Sequence, residues 1–326
     1  MAKGDVVRVG FVGVGGIAGV HLKFVSTAAD AKIVAVCDVN AAQADKIATQ
    51  YGAKAYGETK KMLDSEQLDA VYVCVPPFAH LDQELLVCER KLGLFVEKPI
   101  ATTLEKGEEI SKAALKAKNV AAVGYNWRSC EITKKAKELI GRKPISAAYG
   151  YWVGGMPGVM WWRQQAQSGG QLNEQATHVV DIARHLIGGK VVSVYAQGAK
   201  GILNKKVEKH DVHENAIALL TFDHGCVCTI ATGHLCPQGF RVGIDFVLED
   251  SVITHNNGEL RVKHSKGEEI FRNTNDAYGD EDRAFLDAVK KNDPSGVFCT
   301  YADAFETHRI TMAANKSMET GKVVSL

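Results

Sequence analysis

The strongest constraint on how this chain folds is a rhythm. From Val6 to Tyr125, short runs rich in Val, Ile and Ala alternate with amphipathic segments of helical period. The runs are Val6–Val12, Lys32–Cys37, Ala70–Val75, Gly93–Val96 and Val120–Tyr125, with a shorter one at Lys54–Tyr56. Helices are predicted between them near Ile17–Ala28, Ala41–Tyr51, His80–Lys91 and Leu104–Lys118. Strands apolar on both faces and alternating with helices indicate a parallel sheet covered on both sides. After Tyr125 the rhythm changes. A helix at Glu131–Ile140 leads to a strand near Ile145–Val153, a Gly- and Trp-rich loop and one more helix. Strands follow at Val191–Gln197, Ala216–Phe222, Val227–His234, Val242–Leu248 and Leu260–Lys263, with a hairpin turn at Asp223–Gly225. Two helices, Glu281–Lys290 and Tyr301–Glu319, close the chain. The expectation is an α/β protein of two domains: residues 1–125 a doubly wound parallel sheet, residues 126–326 an α+β domain on a mostly antiparallel sheet.

The first run ends in "GVGGIA", a match to G-x-G-x-x-A. In that pattern Gly13 permits the tight turn, Gly15 lets backbone N–H groups approach a pyrophosphate, and Ala18 lets the helix pack closely on the strand. Gly16 and Gly19 add slack, and the helix N-terminus presents partial positive charge to the phosphates. The second run ends in Asp38, where a carboxylate can accept hydrogen bonds from both ribose hydroxyls and repel a 2′-phosphate. No Arg stands beside it, so NAD is expected rather than NADP. An ordinary βαβ turn with a helix-capping Asp is the plainer alternative.

Ligands bind open parallel sheets at the carboxyl ends of the strands. There this chain places "PPFAH" with Pro76, Pro77 and His80, "EKPI" with Glu97, Lys98 and Pro99, and "NWR" with Asn126 and Arg128. Lys98 taken alone reads as a solvated surface residue; its convergence with the glycine loop favours function. Asn126 suits a turn, and Arg128 a helix start, as well as either suits a ligand.

In "GGQLNEQATHVVDIARHL", Glu174, His178, Asp181 and His185 recur at steps of four, three and four, which puts them in one stripe of a helix. Three readings compete. The stripe is a solvated face with an i,i+4 Glu–His pair, a zinc site, or half of an active site. Zinc is disfavoured because the helix carries no H-E-x-x-H and no further ligands stand out.

Bulk properties narrow the class of partner. A formal net charge of +1 without a basic block disfavours nucleic acid and membrane surfaces. The 46% apolar and 24% charged fractions are those of a soluble globular protein, and no stretch approaches the roughly 20 apolar residues of a membrane span. Eight cysteines scattered through apolar runs, and an N-terminus without a signal core, suit a cytoplasmic chain with reduced thiols. No metal is expected.

Taken together, "GVGGIA", Asp38, "PPFAH", "EKP" and "SGGQLNEQATHVVD" at Ser168–Asp181 resemble the glucose–fructose oxidoreductase/inositol dehydrogenase (Gfo/Idh/MocA) family, over essentially the whole chain. The resemblance implies a Rossmann domain followed by a substrate-binding domain whose large open sheet often forms an oligomer interface, here in a homodimer or homotetramer. It implies a sugar, cyclitol or related polyol as substrate. The cofactor would contact Gly13, Gly15, Gly16, Ile17, Ala18, Asp38, Pro76, Pro77, His80, Glu97, Lys98 and Asn126. The "EKP" lysine is catalytic in such families, which maps to Lys98, and the second motif pairs a carboxylate with a catalytic histidine four residues on, here Glu174 and His178. Where the family usually has Asp, this chain has Glu174.

The chemistry follows from these types. Oxidising a secondary alcohol needs a base for the hydroxyl proton, and an imidazole with an ordinary pKa near 6.5 suits that task. His178 is the expected base, Lys98 the cation that stabilises developing alkoxide, and Glu174 the group that orients His178 or holds a neighbouring hydroxyl. The loop "GGMPGVMWWRQQ" supplies Trp162 and Arg163 as further substrate contacts beside Arg128, although a tryptophan there equally suits a loop core. Two other functions remain open: a glycoside hydrolase working by transient oxidation, and a non-catalytic regulator that senses dinucleotide.

Overall fold

The computed structural model describes residues 6–256 and 258–326, which form two units. The first unit takes the chain up to Ala101, residues 105–126 and, after a long excursion, residues 276–305. Its six strands are β1 (Val7–Val12), β2 (Ala31–Cys37), β3 (Lys54–Tyr56), β4 (Ala70–Val73), β5 (Gly93–Val96) and β6 (Ala121–Val123). They are parallel throughout in the order β3-β2-β1-β4-β5-β6, with the order reversing beside β1. The helices between them are α1 (Ala18–Thr27), α2 (Ala41–Tyr51), α3 (Thr59–Ser65), α4 (Gln83–Glu89) and α5 (Leu104–Ala117). The predicted parallel sheet is therefore present, and α3 is an element the periodicity missed.

Both faces of this sheet are dry. One core gathers Val12, Val71, Val73, Leu94 and Val96 under Ile110 and Tyr301; the other gathers Val9, Phe11, Tyr72 and Phe95 under Leu22 and Phe285. Phe11, Tyr72 and Phe95 stack across three adjacent strands at 4.8 and 4.7 Å between centroids, and Phe285 meets Tyr72 and Phe95 edge-on.

The second unit comprises residues 102–104, 127–275 and 306–326. Its helices are α6 (Glu131–Ile140), followed after β7 (Ala147–Val153) by α7 (Gln165–Ser168), α8 (Gln171–Glu174) and α9 (Thr177–Ile187). Its further strands are β8 (Val191–Ala199), β9 (Asn215–Phe222), β10 (Val227–Gly233), β11 (Arg241–Val247), β12 (Ser251–Asn256), β13 (Glu259–His264) and β14 (Gly267–Arg272). The chain then runs through α10 (Ala277–Lys291) and α11 (Tyr301–Thr320) to β15 (Val324–Ser325). The nine-stranded sheet has the order β14-β13-β12-β11-β7-β10-β9-β8-β15, antiparallel except where β10 runs parallel to β7. One face of β9 is buried through Ala216, Ala218, Leu220 and Phe222, while Ile217 and Leu219 are exposed on the other.

Two expectations need correction. The sequence assigned everything from residue 126 onward to the second domain, but α10 belongs to the first unit, because Phe285, Leu286, Ala288 and Val289 complete the core on its parallel sheet. The run from Gly169 to Leu186 is also not one helix. Gly169 and Gly170 have φ of +73° and +83°, α8 is a single turn, and the chain breaks at Gln175 and Ala176 before α9 begins.

Candidate active site

In the first unit the glycine loop is shaped by β1 and its neighbour. Gly13 has φ of +79°, and a Cβ there would come within 2.7 Å of the Cys74 carbonyl oxygen, so only glycine makes this turn. At Gly15 and Gly16 an added Cβ would meet nothing within 4 Å, which leaves the loop's outer side open for a ligand to approach the backbone. Ile17 caps α1, and Ala18 is fully buried against the sheet. Asp38 follows β2: its Oδ2 accepts the Val14 N–H at 3.0 Å and its Oδ1 the Asn40 N–H at 2.9 Å. The carboxylate is held at the rim of the loop with lone pairs to spare for ribose hydroxyls. Open backbone, a helix N-terminus and a fixed carboxylate fit a dinucleotide.

The other strand-end residues divide. Lys98 and Asn126 are half-buried, and the Lys98–Pro99 peptide is cis. Pro76 is half-buried and Pro77 is buried in a turn of 3-10 helix. His80 and Glu97, both expected at the cofactor, are covered by protein: His80 Nδ1 pairs with Glu84 Oε1, both side chains fully buried. Glu97 belongs to a group the sequence did not reveal. Its Oε1 lies 3.0 Å from His21 Nε2, and His21 Nδ1 lies 2.8 Å from Asp282 Oδ1 on α10. Tyr72, Phe95 and Tyr278 surround the imidazole at 5.5, 5.0 and 6.0 Å. Burial opposes a charge on His21, yet the hydrogen bonds and charges of Asp282 and Glu97 outweigh it and raise the ring's pKa to about 10. The signal for this group was in α1. His21 shares the buried face of Ala18, Leu22 and Val25, where a polar ring needs partners.

The second unit answers the question posed by the polar stripe. His178 and Asp181 are buried, Glu174 and His185 half-buried, so the stripe is not a solvated face. Asp181 is bound from both sides. Arg128 donates to its two oxygens at 2.7 Å each, and the Thr307 hydroxyl adds a third bond at 3.0 Å. Arg128, expected at the substrate, is thus part of a buried bidentate ion pair that secures α9, and losing one partner of such a pair costs about 3–5 kcal/mol.

His178 itself lies among near-parallel rings. Trp127 and Trp152 are 5.6 and 5.7 Å from it, at interplanar angles of 17° and 19°. Beside this cluster, Trp162 donates its indole N–H to Glu174 Oε2 at 2.6 Å. Trp162, expected at the substrate, is only 1% exposed, so its ring face is packed within the protein. Arg163 is half-buried.

Beneath Trp162 runs a directed chain. His234 packs edge-on to Trp162 at 4.9 Å, its Nδ1 donates to Gln171 Oε1 at 3.2 Å, and its Nε2 accepts from His210 Nε2 at 2.8 Å. Gln171 Nε2 in turn donates to the Trp152 carbonyl at 3.4 Å. Burial and the neighbouring His210 push His234 down to about 4, and burial lowers His210 from its ordinary value, so both rings are neutral at pH 7 and the chain keeps its direction. Neither His234 nor Trp152 was singled out by the sequence, because each stands alone, Trp152 in β7 and His234 just past the end of β10.

Comparison with known proteins gives one answer for both units. Residues 7–125 match the NAD-binding Rossmann fold of the GFO/IDH/MocA oxidoreductase family, and residues 143–254 match that family's C-terminal domain. The myo-inositol 2-dehydrogenase of Thermotoga maritima is 25% identical over 336 residues, covering 98% of each chain. The scyllo-inositol 2-dehydrogenase (NAD(+)) of Bacillus subtilis is 26% identical, covering 98% of this chain and 96% of its own. A levoglucosan dehydrogenase in complex with NADH and L-sorbose shares the fold at a TM-score of 0.85 with 18% identity, covering 98% of this chain and 99% of its own.

Proposed function

Because the chain belongs to the Gfo/Idh/MocA family of NAD-binding oxidoreductases, we propose that it transfers a hydride between a secondary alcohol of a cyclitol, sugar or related polyol and NAD. The observation that carries the reading is His178, an imidazole whose ring is held among Trp127 and Trp152 at the start of α9, four residues after the Trp162-bound Glu174 that ends α8. An imidazole fixed in orientation is a general base with a defined target. Bound NAD would supply the hydride acceptor, held by the Gly13–Ala18 loop and Asp38.

In this reading His178 takes the hydroxyl proton, and Lys98 stabilises the negative charge that develops on the substrate oxygen. Glu174, its carboxylate aimed by Trp162, accepts a neighbouring substrate hydroxyl. The inositol dehydrogenases among the relatives support a cyclitol as the first substrate to try. The reading includes a homodimer or homotetramer formed through the outer face of the nine-stranded sheet, where Tyr149, Tyr195, Ile217 and Leu219 are exposed.

The test is a panel of myo-inositol, scyllo-inositol, D-glucose and D-glucosides with NAD or NADP, followed by absorbance of the reduced cofactor. NAD reduction by at least one cyclitol or sugar is expected, with kcat/KM lowered about a hundred-fold or more in His178→Ala and in Lys98→Ala. Release of free sugar without net NADH would indicate hydrolysis, and variants within a few-fold of the parent would remove both residues from the chemistry.

A further inference from the structure

We infer that His21 and Asp282 are positioning residues for Lys98, acting through Glu97. The inference rests on the catalytic reading of Lys98 and deepens it. The two oxygens of Glu97 divide their work: Oε1 faces His21 Nε2 at 3.0 Å, and Oε2 accepts the backbone N–H of Lys98 at 3.1 Å. The far side of the imidazole is closed by Asp282 Oδ1 at 2.8 Å. A hydrogen-bonded chain thus runs from α10 through α1 to the peptide that carries the lysine.

The carboxylate has no room to rearrange. A Cβ on Gly124 would come within 2.6 Å of Glu97 Oε1, and Glu97 is 4% exposed. The same oxygens would clash with any larger residue on the first turn after β6. His21 is fully buried, and Asp282 is fully buried. Two carboxylates and an imidazolium placed there carry a heavy desolvation cost, and apolar residues of the same volume would pack at least as well. Stability alone therefore does not account for the group. What it does account for is the direction of the Lys98 backbone, since one carboxylate oxygen is held so that the other can hold the Lys98 N–H.

Hydrogen-bond direction makes the chain testable. With Asp282 ionised, the protonated ring donates from both nitrogens. In Asp282→Asn the amide turns to donate its Nδ2–H to Nδ1, and the neutral ring keeps its Nε2–H on Glu97, so the chain survives. In a His21→Phe/Asp282→Leu double variant no imidazole donor reaches Glu97 Oε1, and Glu97 is released.

The experiment uses the full chain with NAD and the most rapidly oxidised compound of the panel above. His21→Phe/Asp282→Leu is expected to lower kcat about ten-fold, because an interaction made mainly in the transition state is lost. The KM for NAD stays within about two-fold. Amide hydrogen exchange over residues 97–100, followed by mass spectrometry, speeds up in that variant. Asp282→Asn, which keeps the His21–Glu97 bond, holds both readouts near the parent's. In a Lys98→Ala background, His21→Phe/Asp282→Leu costs no further turnover, since its effect passes through the missing amine.

An unchanged kcat in folded His21→Phe/Asp282→Leu overturns the inference. So does an equal loss in the parent and Lys98→Ala backgrounds, or an Asp282→Asn variant no better than the double. If the double variant does not fold, Asp282→Asn decides: turnover within about three-fold of the parent supports the chain, and a loss of ten-fold or more overturns it. Full turnover in Lys98→Ala overturns the catalytic reading and this one with it, whereas additive losses with a Lys98-dependent rate overturn this one alone.

Discussion

At the scale of single residues, the charge of Asp38 and the indole N–H of Trp162 carry the sharpest expectations. Asp38 already accepts two backbone N–H groups, so Asp38→Asn keeps most of the loop's geometry while removing the negative charge. NADH affinity is expected to fall about ten-fold, the size of one charged hydrogen bond. The preference for NAD over NADP narrows, because repulsion of the 2′-phosphate is gone; fluorescence titration with NADH and NADPH reads both. Trp162→Phe preserves the packing on His234 but removes the indole N–H bond to Glu174 Oε2. Turnover is expected to drop about ten-fold while the melting temperature stays within a few degrees, as measured by steady-state kinetics and thermal unfolding. A drop in stability matching the drop in rate would assign Trp162 to the core alone.

At the scale of elements, α10 is the clearest case of a helix whose partner local pattern cannot name. Its apolar period was legible, but period tells which face is buried and not which sheet buries it. Phe285 fills the edge-on slot against Tyr72 and Phe95. Phe285→Ala is therefore expected to destabilise the first unit by about 3–5 kcal/mol, read by denaturant unfolding. The strands that escaped the sequence have their own reasons. In β12 the inward positions hold Ile253 and His255, so a buried polar ring interrupts the alternation. β14 lies at the edge of the sheet and is exposed along most of its length, so its sequence carries no apolar side at all. The break before α9 escaped for a different reason, since the spacing of four polar residues is insensitive to a kink at Gln175 and Ala176. Glycine loop, Asp38, Lys98, Glu174 and His178 were legible because each belongs to a local pattern. His21, Asp282 and Trp152 were not, because their meaning lies in partners far along the chain.

At the scale of the whole molecule, three strongly shifted histidines contribute to the pH dependence of stability. His21 is raised to about 10, above its unfolded value near 6.5, so the folded state holds the extra proton between those limits. Its contribution is complete below pH 6.5 and disappears as pH rises through 10. His234 and His255 are pushed by burial to about 4, so the unfolded state holds the extra protons between pH 4 and 6.5. Their contribution is complete above pH 6.5 and disappears as pH falls through 4. Stability is expected to peak near neutrality, with the first unit weakening on the alkaline side and the second on the acid side. Denaturant unfolding from pH 4.5 to 9.5 reads the curve; His21→Asn should flatten its alkaline arm and His255→Gln its acid arm. The return of residues 276–305 to the first unit also bears on how the chain is made. Every residue of the second unit's nine-stranded sheet except β15 is synthesised before α10 leaves the ribosome. At about 5–20 residues per second, roughly eight to thirty seconds separate the last strand of the parallel sheet from the helix that covers it. During that interval Tyr72 and Phe95 have no Phe285 above them, so the domain that begins first is the one finished late, and a nascent chain is most in need of protection at the surface it will later use to hold His21.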